Sequence, residues 1–230
     1  MVRPYSASRV QTQPRVGRFG WKAQQPTLLT FGADAYRNEM GITSDLFRNE
    51  VAPGIDPETL KLCDLIPDPE DRRDPLTGLR GIDAFEAFLK VLAPIERLSP
   101  GDPTFAQDAV RGETIFAAVG CTSCHIPILM TGPDTNPVFD RRPVALYSDL
   151  LLHDVATGDG IPQAAALANE IRTPALWGLR FRRPFLHDGS AATPLEAILR
   201  HGNEAQTATT NYRELPTPDQ DALLAFPDSL

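Results

Sequence analysis

Apolar positions recur along this chain at helical spacing in short bursts, each closed by proline or glycine, and alternate in strand fashion almost nowhere. In "PTLLTFGADAYRNEMG" the residues Leu28, Leu29, Phe31 and Tyr36 predict a helix with Gly41 as its closing residue. In "GIDAFEAFLKVLAP" one face gathers Ile82, Phe85, Phe88, Leu89 and Leu92 before Pro94 stops the run. The stretch between them, "EVAPGIDPETLKLCDLIPDPEDRRDPLTGLRG", reads as turn-rich, and "RLSPGDPT", residues 97–104, reads as a linker. After it, Val110, Ile115, Phe116 and Val119 in "FAQDAVRGETIFAAVGC" mark an apolar helix face running into Cys121. Residues 126 to about 170 are loop-like apart from the apolar patch "VALYSDLLLH".

Two later helices carry start and stop signals. In "ATPLEAILRHG" Thr193 is the predicted N-cap, Pro194 the first helical residue, Glu196 the return partner of a capping box and Gly202 the closing glycine. In "TPDQDALLAF" Thr217, Pro218 and Gln220 repeat the pattern and Pro227 is expected to break it. "FRRPFL" is too short and too basic to seed a sheet. The fold class is therefore mostly α, with a division near residue 98 into segments 1–97 and 98–230.

Composition narrows the function. With 22 prolines in 230 residues, the short helices are joined by stiff, ordered loops. Thirty acidic against 22 basic residues leave a net charge of −8, which argues against nucleic acid or an anionic membrane surface as the partner and favours a basic partner surface. No apolar run is long enough to span a membrane, and the first twenty residues hold no continuous apolar segment of the export-signal kind. The expectation is a mature form or part of a longer chain.

The candidate chemistry lies in "AVGCTSCHIPIL". Cys121, Cys124 and His125 form C-x-x-C-H, the attachment signature of c-type haem. Two thiols add across the porphyrin vinyl groups, and the adjacent histidine then lies under the iron as an axial ligand. A structural zinc would need further ligands from Cys63, His153, His187 and His201, none of them in paired spacing. A dithiol redox pair would open a helix after a strand, whereas these cysteines follow a helix. Covalent haem places the chain outside the cytoplasm, in the periplasm.

The sixth ligand decides what such a haem does. Met40, Met130, His153, His187 and His201 are the candidates. His201 leads, because it ends the capped helix on the face of Pro194, Ala197 and Ile198. Met130 follows His125 too closely to wrap easily to the opposite face of the ring. His153 and His187 each precede an aspartate and read as orienting or structural groups. Arg180, Arg182 and Arg183 concentrate positive charge in "WGLRFRRPF", and haem propionates are natural guanidinium partners. A solvated basic loop is the competing reading.

Taken in order, "GRFGWKAQQPTL", "EMGITS", "GETIFAAVGCTSCHIP", "YSDLLLHD", "RTPALWGL", "FLHDGSAATPLEAILRHGNEA" and "LLAFPDSL" resemble the di-haem oxidoreductases of the bacterial cytochrome c peroxidase superfamily, especially its thiol oxidoreductase branch. The resemblance covers nearly the whole chain. It implies two cytochrome c-like domains, each with a covalent haem, of which the C-terminal haem is six-coordinate and supplies electrons. The distal ligand of that haem lies at a set distance past the "HDG" motif, methionine in typical peroxidases and tyrosine in methylamine-pathway relatives; here that position is His201. The resemblance makes Trp21 an electron relay between haems and sets His187 close to the C-terminal haem. Only one C-x-x-C-H is present, so residues 1–97 are expected to be the tail of the first domain plus the connection, and 98–230 a complete haem domain with one haem c. The superfamily's interdomain calcium would have part of its ligand set upstream. The implied partner is an electron donor or acceptor protein, or a separate N-terminal haem domain.

Overall fold

A computed structural model of the chain describes residues 4–5, 15–63, 65, 69–98 and 103–230. Its chain divides into two compact units, one made of Trp21–Ala23 with Pro94–Leu230, the other of Arg3–Gly20 with Gln24–Ala93. Residues 99–102 of the expected linker lie outside the described residues. The fold is mostly helical, as the periodicity predicts. Among the described residues, strands are confined to two-residue antiparallel pairs: β1 (Pro4–Tyr5) with β2 (Arg15–Val16), β3 (Leu129–Met130) with β4 (Pro143–Val144), and β5 (Leu152–His153) with β6 (Ile171–Arg172).

In the Gln24–Ala93 unit, α1 (Leu28–Ala35) begins at a capping box. The Thr27 hydroxyl accepts from Thr30 N at 3.0 Å, while Thr27 N donates to the Thr30 hydroxyl at 3.3 Å. The helix runs on through a wider turn, Tyr36–Met40, and closes at Gly41, the predicted stop. The "turn-rich" stretch contains a short helix, α2 (Pro57–Cys63), nucleated by Asp56, whose carboxylate accepts from Glu58 N and Thr59 N at 3.1 Å each. This is a correction: an aspartate followed by proline at the first helical position is a helix start as well as a turn signal.

Helix α3 (Gly81–Val91) packs on α1, with Ile82 fully buried and the Phe85 ring 5.3 Å from the Tyr36 ring. The predicted five-residue face is buried only in part. Phe88 and Leu92 are each 55 % exposed, because the eight-residue α1 is too short to cover the second half of α3. At the head of α3, Arg80 donates to Asp83 at 2.7 and 2.9 Å and to Asp45 at 2.5 Å. The hydrogen bond from Arg80 is the main cause that holds the Asp83 carboxyl down at about 2, against the opposing effect of burial.

The other unit is built on a crossing of α4 (Pro103–Ala118) with α7 (Thr217–Ser229). Gly112 makes the crossing possible, since a Cβ there would overlap the Ala222 carbonyl. The buried face of α4 is Ala109, Gly112 and Phe116, so Val110, counted above as apolar face, points outward. Periodicity alone favoured the larger side chain, whereas the close approach of α7 selects small ones. Phe116, Val119, Tyr147, Leu176, Tyr212, Leu223, Phe226 and Leu230 form the core. Around them lie α5 (Pro194–Leu199) and α6 (Gln206–Arg213).

Three predicted signals resolve differently. Thr193 does cap α5, accepting from Glu196 N at 3.1 Å, but the Glu196 carboxylate accepts from Ala192 N at 2.6 Å and not from the cap residue itself. Gly202 is not the left-handed stop; α5 ends at Leu199, and the chain passes Gly202 in extended form. Pro227 lies inside α7, which continues to Ser229, so a proline in the final turn does not end this helix.

Candidate haem site

Just past the end of α4 the chain turns at Gly120, whose φ of +100° is open to glycine and strained for other residues. This turn throws the chain into a 3-10 turn, Cys121–Ser123, and His125 N closes back on Cys121 O at 3.0 Å. Both cysteines and the histidine thereby face one cavity of about 360 Å³. That volume lies within the range of cofactor sites. The far wall comes from α5 and the turn after it, with Ala197, Ile198 and His201.

The two histidines are set alike. His125 Nδ1 donates to the Tyr147 carbonyl at 2.8 Å, and His201 Nδ1 donates to the Ala197 carbonyl at 2.6 Å. A carbonyl only accepts, so the proton sits on Nδ1 and each Nε2 keeps its lone pair for a metal. Burial is the first cause that pushes His125 down to about 4, and burial likewise lowers His201. Both rings are therefore neutral near pH 7.

Burial pushes the Cys121 thiol up to about 11. Apolar side chains, among them Phe116, Val119, Leu176, Phe185 and Ile198, line the cavity. This donor set, two thiols and two neutral imidazoles around an apolar slot, suits a covalently held haem.

One end of the cavity is polar. Arg172, Arg182, Trp21 and His187 all line it. The Arg182 guanidinium lies 4.9 Å over the Trp21 ring, and the His187 ring meets Trp21 edge-on at 6.1 Å. Both His187 ring nitrogens are buried without a hydrogen-bond partner, Nε2 being 3.9 Å from Asp159, itself bonded to Lys22 at 2.8 Å. Unpartnered imidazole nitrogens, at least one of them a donor, beside the Arg182 guanidinium match a carboxylate-bearing ligand, as a haem propionate is.

The remaining sequence candidates lie elsewhere. Arg180 does not line the cavity; its guanidinium donates to the carbonyls of Leu230 and Glu96 at 2.8 and 2.9 Å. Arg183 bonds nearby carbonyls and stacks on Phe185. Met130 is 61 % exposed on β3 and Met40 is exposed in the other unit. Cys63 is exposed on α2.

His153 lines the cavity between two carboxylates, Nε2 to Asp149 at 2.8 Å and Nδ1 to Glu204 at 2.9 Å. Its bond to Asp149, followed by contributions from Cys124 and Glu204, pushes it up to about 11. Four contributors escaped the sequence reading: Arg172, Tyr147, Asp149 and Glu204. All four lie inside quoted motifs, Arg172 in "RTPALWGL", Tyr147 and Asp149 in "YSDLLLHD" and Glu204 just past His201, but their roles rest on carbonyl, carboxylate and cavity geometry that only folding creates.

Comparison with known proteins places the chain in a family. The family described as "Di-haem oxidoreductase, putative peroxidase" matches residues 8–230. The methylamine utilization protein MauG of Methylorubrum extorquens is 28 % identical over 172 residues, covering 71 % of this chain and 44 % of that protein. The cytochrome-c peroxidase IdrP2 of Denitromonas iodatirespirans is 26 % identical over 187 residues, covering 69 % of this chain and 50 % of that protein. The chain thus spans about half the length of these curated relatives. Among solved structures it is similar to a MauG-like protein associated with microbial copper homeostasis, with a TM-score of 0.48 and 16 % identity over 99 % of this chain and 73 % of that one. With a family match over nearly its full length and a cavity suited to a c-type haem, this chain belongs to the di-haem oxidoreductases.

Proposed function

We propose that residues 98–230 form an electron-transferring haem c domain of a peroxidase-like oxidoreductase, held through Cys121 and Cys124 and ligated by His125 and His201. The observation that carries this reading is the matched pair of neutral imidazoles, each with Nδ1 committed to a backbone carbonyl and Nε2 left free, lining one cavity with both cysteines. A bound haem supplies one-electron exchange between ferric and ferrous iron. The chain's own residues do the rest. Phe116, Leu176 and Phe185 would keep water from a bound haem, Arg172 and Arg182 would meet its carboxylates, and His125 and His201 would each offer Nε2 to the iron, leaving peroxide no open position. Two imidazoles favour a lower potential than imidazole with thioether, as methionine ligation raises it.

Trp21, in contact with Arg182 and His187 at the cavity wall, is the proposed exit for the electron. The partner is a donor or acceptor protein, or a peroxide-reacting haem domain, and the compartment is the periplasm, where covalent haem is attached. A calcium ion at a domain boundary belongs to the resemblance and finds no further support. A ferric, haem-loaded protein should be six-coordinate and low-spin; a high-spin, five-coordinate spectrum would sink the reading. The presence of a single C-x-x-C-H favours one alternative, a stand-alone monohaem carrier. Peroxide turnover by this chain with an artificial donor would exclude that alternative and, like a high-spin spectrum, would count against the closed six-coordinate iron.

A further inference from the structure

A strap, residues 146–156, runs between the two histidine-bearing segments and is tied to both. On the cysteine side Ser148 N donates to Ile126 O at 3.0 Å and Asp149 N to Cys124 O at 2.8 Å. On the other side Gly202 N donates to Val155 O at 2.9 Å and Glu204 N to Asp154 O at 3.1 Å. Three non-glycine residues of the strap, Tyr147, Leu150 and Ala156, take left-handed backbone conformations, with φ of +50°, +60° and +62°. Such a path persists only where its surroundings enforce it.

His153 sits where the two ties meet. Its ring joins Asp149, buried beside the Cys124 loop, to Glu204, three residues past His201. Glu204 also accepts from Asp154 N at 2.9 Å through its second oxygen. The groups around the ring are thus Asp149, Glu204 and the Cys124 sulfur, with Asp154 next in the chain. An imidazole donating from both nitrogens to carboxylates is a charged, two-armed link, stronger than either backbone tie alone.

We propose that His153 is a positioning residue for the iron ligands: bonded to Asp149 and Glu204 at once, it holds the His125 loop and the His201 turn at a fixed separation across the cavity. This rests on the His125/His201 ligation proposed above. Without the link, the turn carrying His201 keeps its backbone ties and the side-chain bonds of Asn203, Glu204 and Thr209 but loses the charged arm from His153, and the His201 side opens more often. Losing a charge-assisted hydrogen bond shifts such an opening equilibrium by about tenfold or more.

The test uses the full chain loaded with haem, with ferric spectra and cyanide binding as readouts. His153→Ala should keep the covalent c-type band, gain a high-spin fraction and bind cyanide about tenfold more tightly, because cyanide must displace a ligand now loosely held. Glu204→Ala, which removes the distal arm at a solvent-facing carboxylate together with its bond from Asp154 N, should change both readouts the same way. His153→Gln, able to retain one arm, should fall between His153→Ala and the parent. If the parent is low-spin and His201→Ala turns high-spin, while His153→Ala and Glu204→Ala keep the parent's spectrum and cyanide affinity, the clamp is wrong and the ligation stands. A lowered melting temperature with unchanged cyanide affinity also overturns it. A high-spin parent removes the ligation reading and the clamp with it. Should His153→Ala fail to fold, Glu204→Ala decides.

Discussion

The two histidines at the candidate iron site reach the same chemical state by opposite routes. His201 is oriented locally, by the carbonyl of Ala197 one helical turn behind it, so α5 carries its own ligand geometry. His125 is oriented from far along the chain, by the carbonyl of Tyr147 on the strap. Tyr147 is in turn fixed by its hydroxyl, which donates to Glu113 on α4 at 2.5 Å. The ring orientation of His201 is therefore set within its own segment, while that of His125 depends on α4, the strap and the core. The difference teaches that two imidazoles in the same state need not share the same kind of support.

The largest test of this contrast is to remove each ring. His125→Ala should abolish the low-spin signal. His201→Ala should leave a covalently held, high-spin haem, and His201→Met should restore a low-spin state at a raised potential. Equal spectra for His201→Met and the parent would reject His201 as ligand.

Next comes Gly112→Ala, whose added methyl meets the Ala222 carbonyl and must push α4 from α7. A loss of about 1–3 kcal/mol is expected by chemical denaturation, with the His125 side disturbed before the His201 side. A stability equal to the parent's would show that the crossing can relax freely.

A smaller effect calibrates the unit that carries neither ligand. Asp83 has a folded value of about 2, below its ordinary 3.8, so its stabilisation is present above pH 4 and is lost as pH falls from about 4 toward 2. Asp83→Asn should cost on the order of 1–2 kcal/mol at pH 7, and the gap to the parent should close across that window. A pH-independent gap would mean that packing, and not the charge, was lost.

The smallest is Thr209→Val. The Thr209 hydroxyl on α6 donates to His201 O at 2.7 Å, with Ile198 O next nearest at 3.4 Å, and so steadies the backbone around His201. About 1 kcal/mol should be lost, with the spectrum unchanged if local support by Ala197 suffices.

Much of this contrast was legible beforehand, and the reason lies in where each contact comes from. The C-x-x-C-H spacing and the Thr193-Pro194 helix start are local signals, and they located both histidines. The helix class followed from periodicity, as in α1 and its Gly41 stop. What stayed hidden was non-local. Val110 could not be told from Ala109 as the buried residue without α7 beside it, and Pro227 could not be seen to sit harmlessly in a final turn. Arg180 and Arg182 look equivalent in sequence, yet one meets the C-terminal carbonyls and the other the cavity. Gly202 read as a cap because glycine after a helix usually is one, whereas here its amide serves the strap.

The membership of Trp21–Ala23 in the same unit as Pro94–Leu230 has a consequence for how the molecule can vary. In chain order, Gln24–Ala93 is an insertion, and a segment excised from Pro94 onward would keep both thiols and both imidazoles yet lack Trp21 from the cavity wall. Closing a long excursion is entropically forgiving, since doubling its length costs only about 0.6 kcal/mol. The inserted segment can therefore grow, shrink or be exchanged through evolution at little thermodynamic penalty, provided that its first and last residues still deliver the tryptophan to its place.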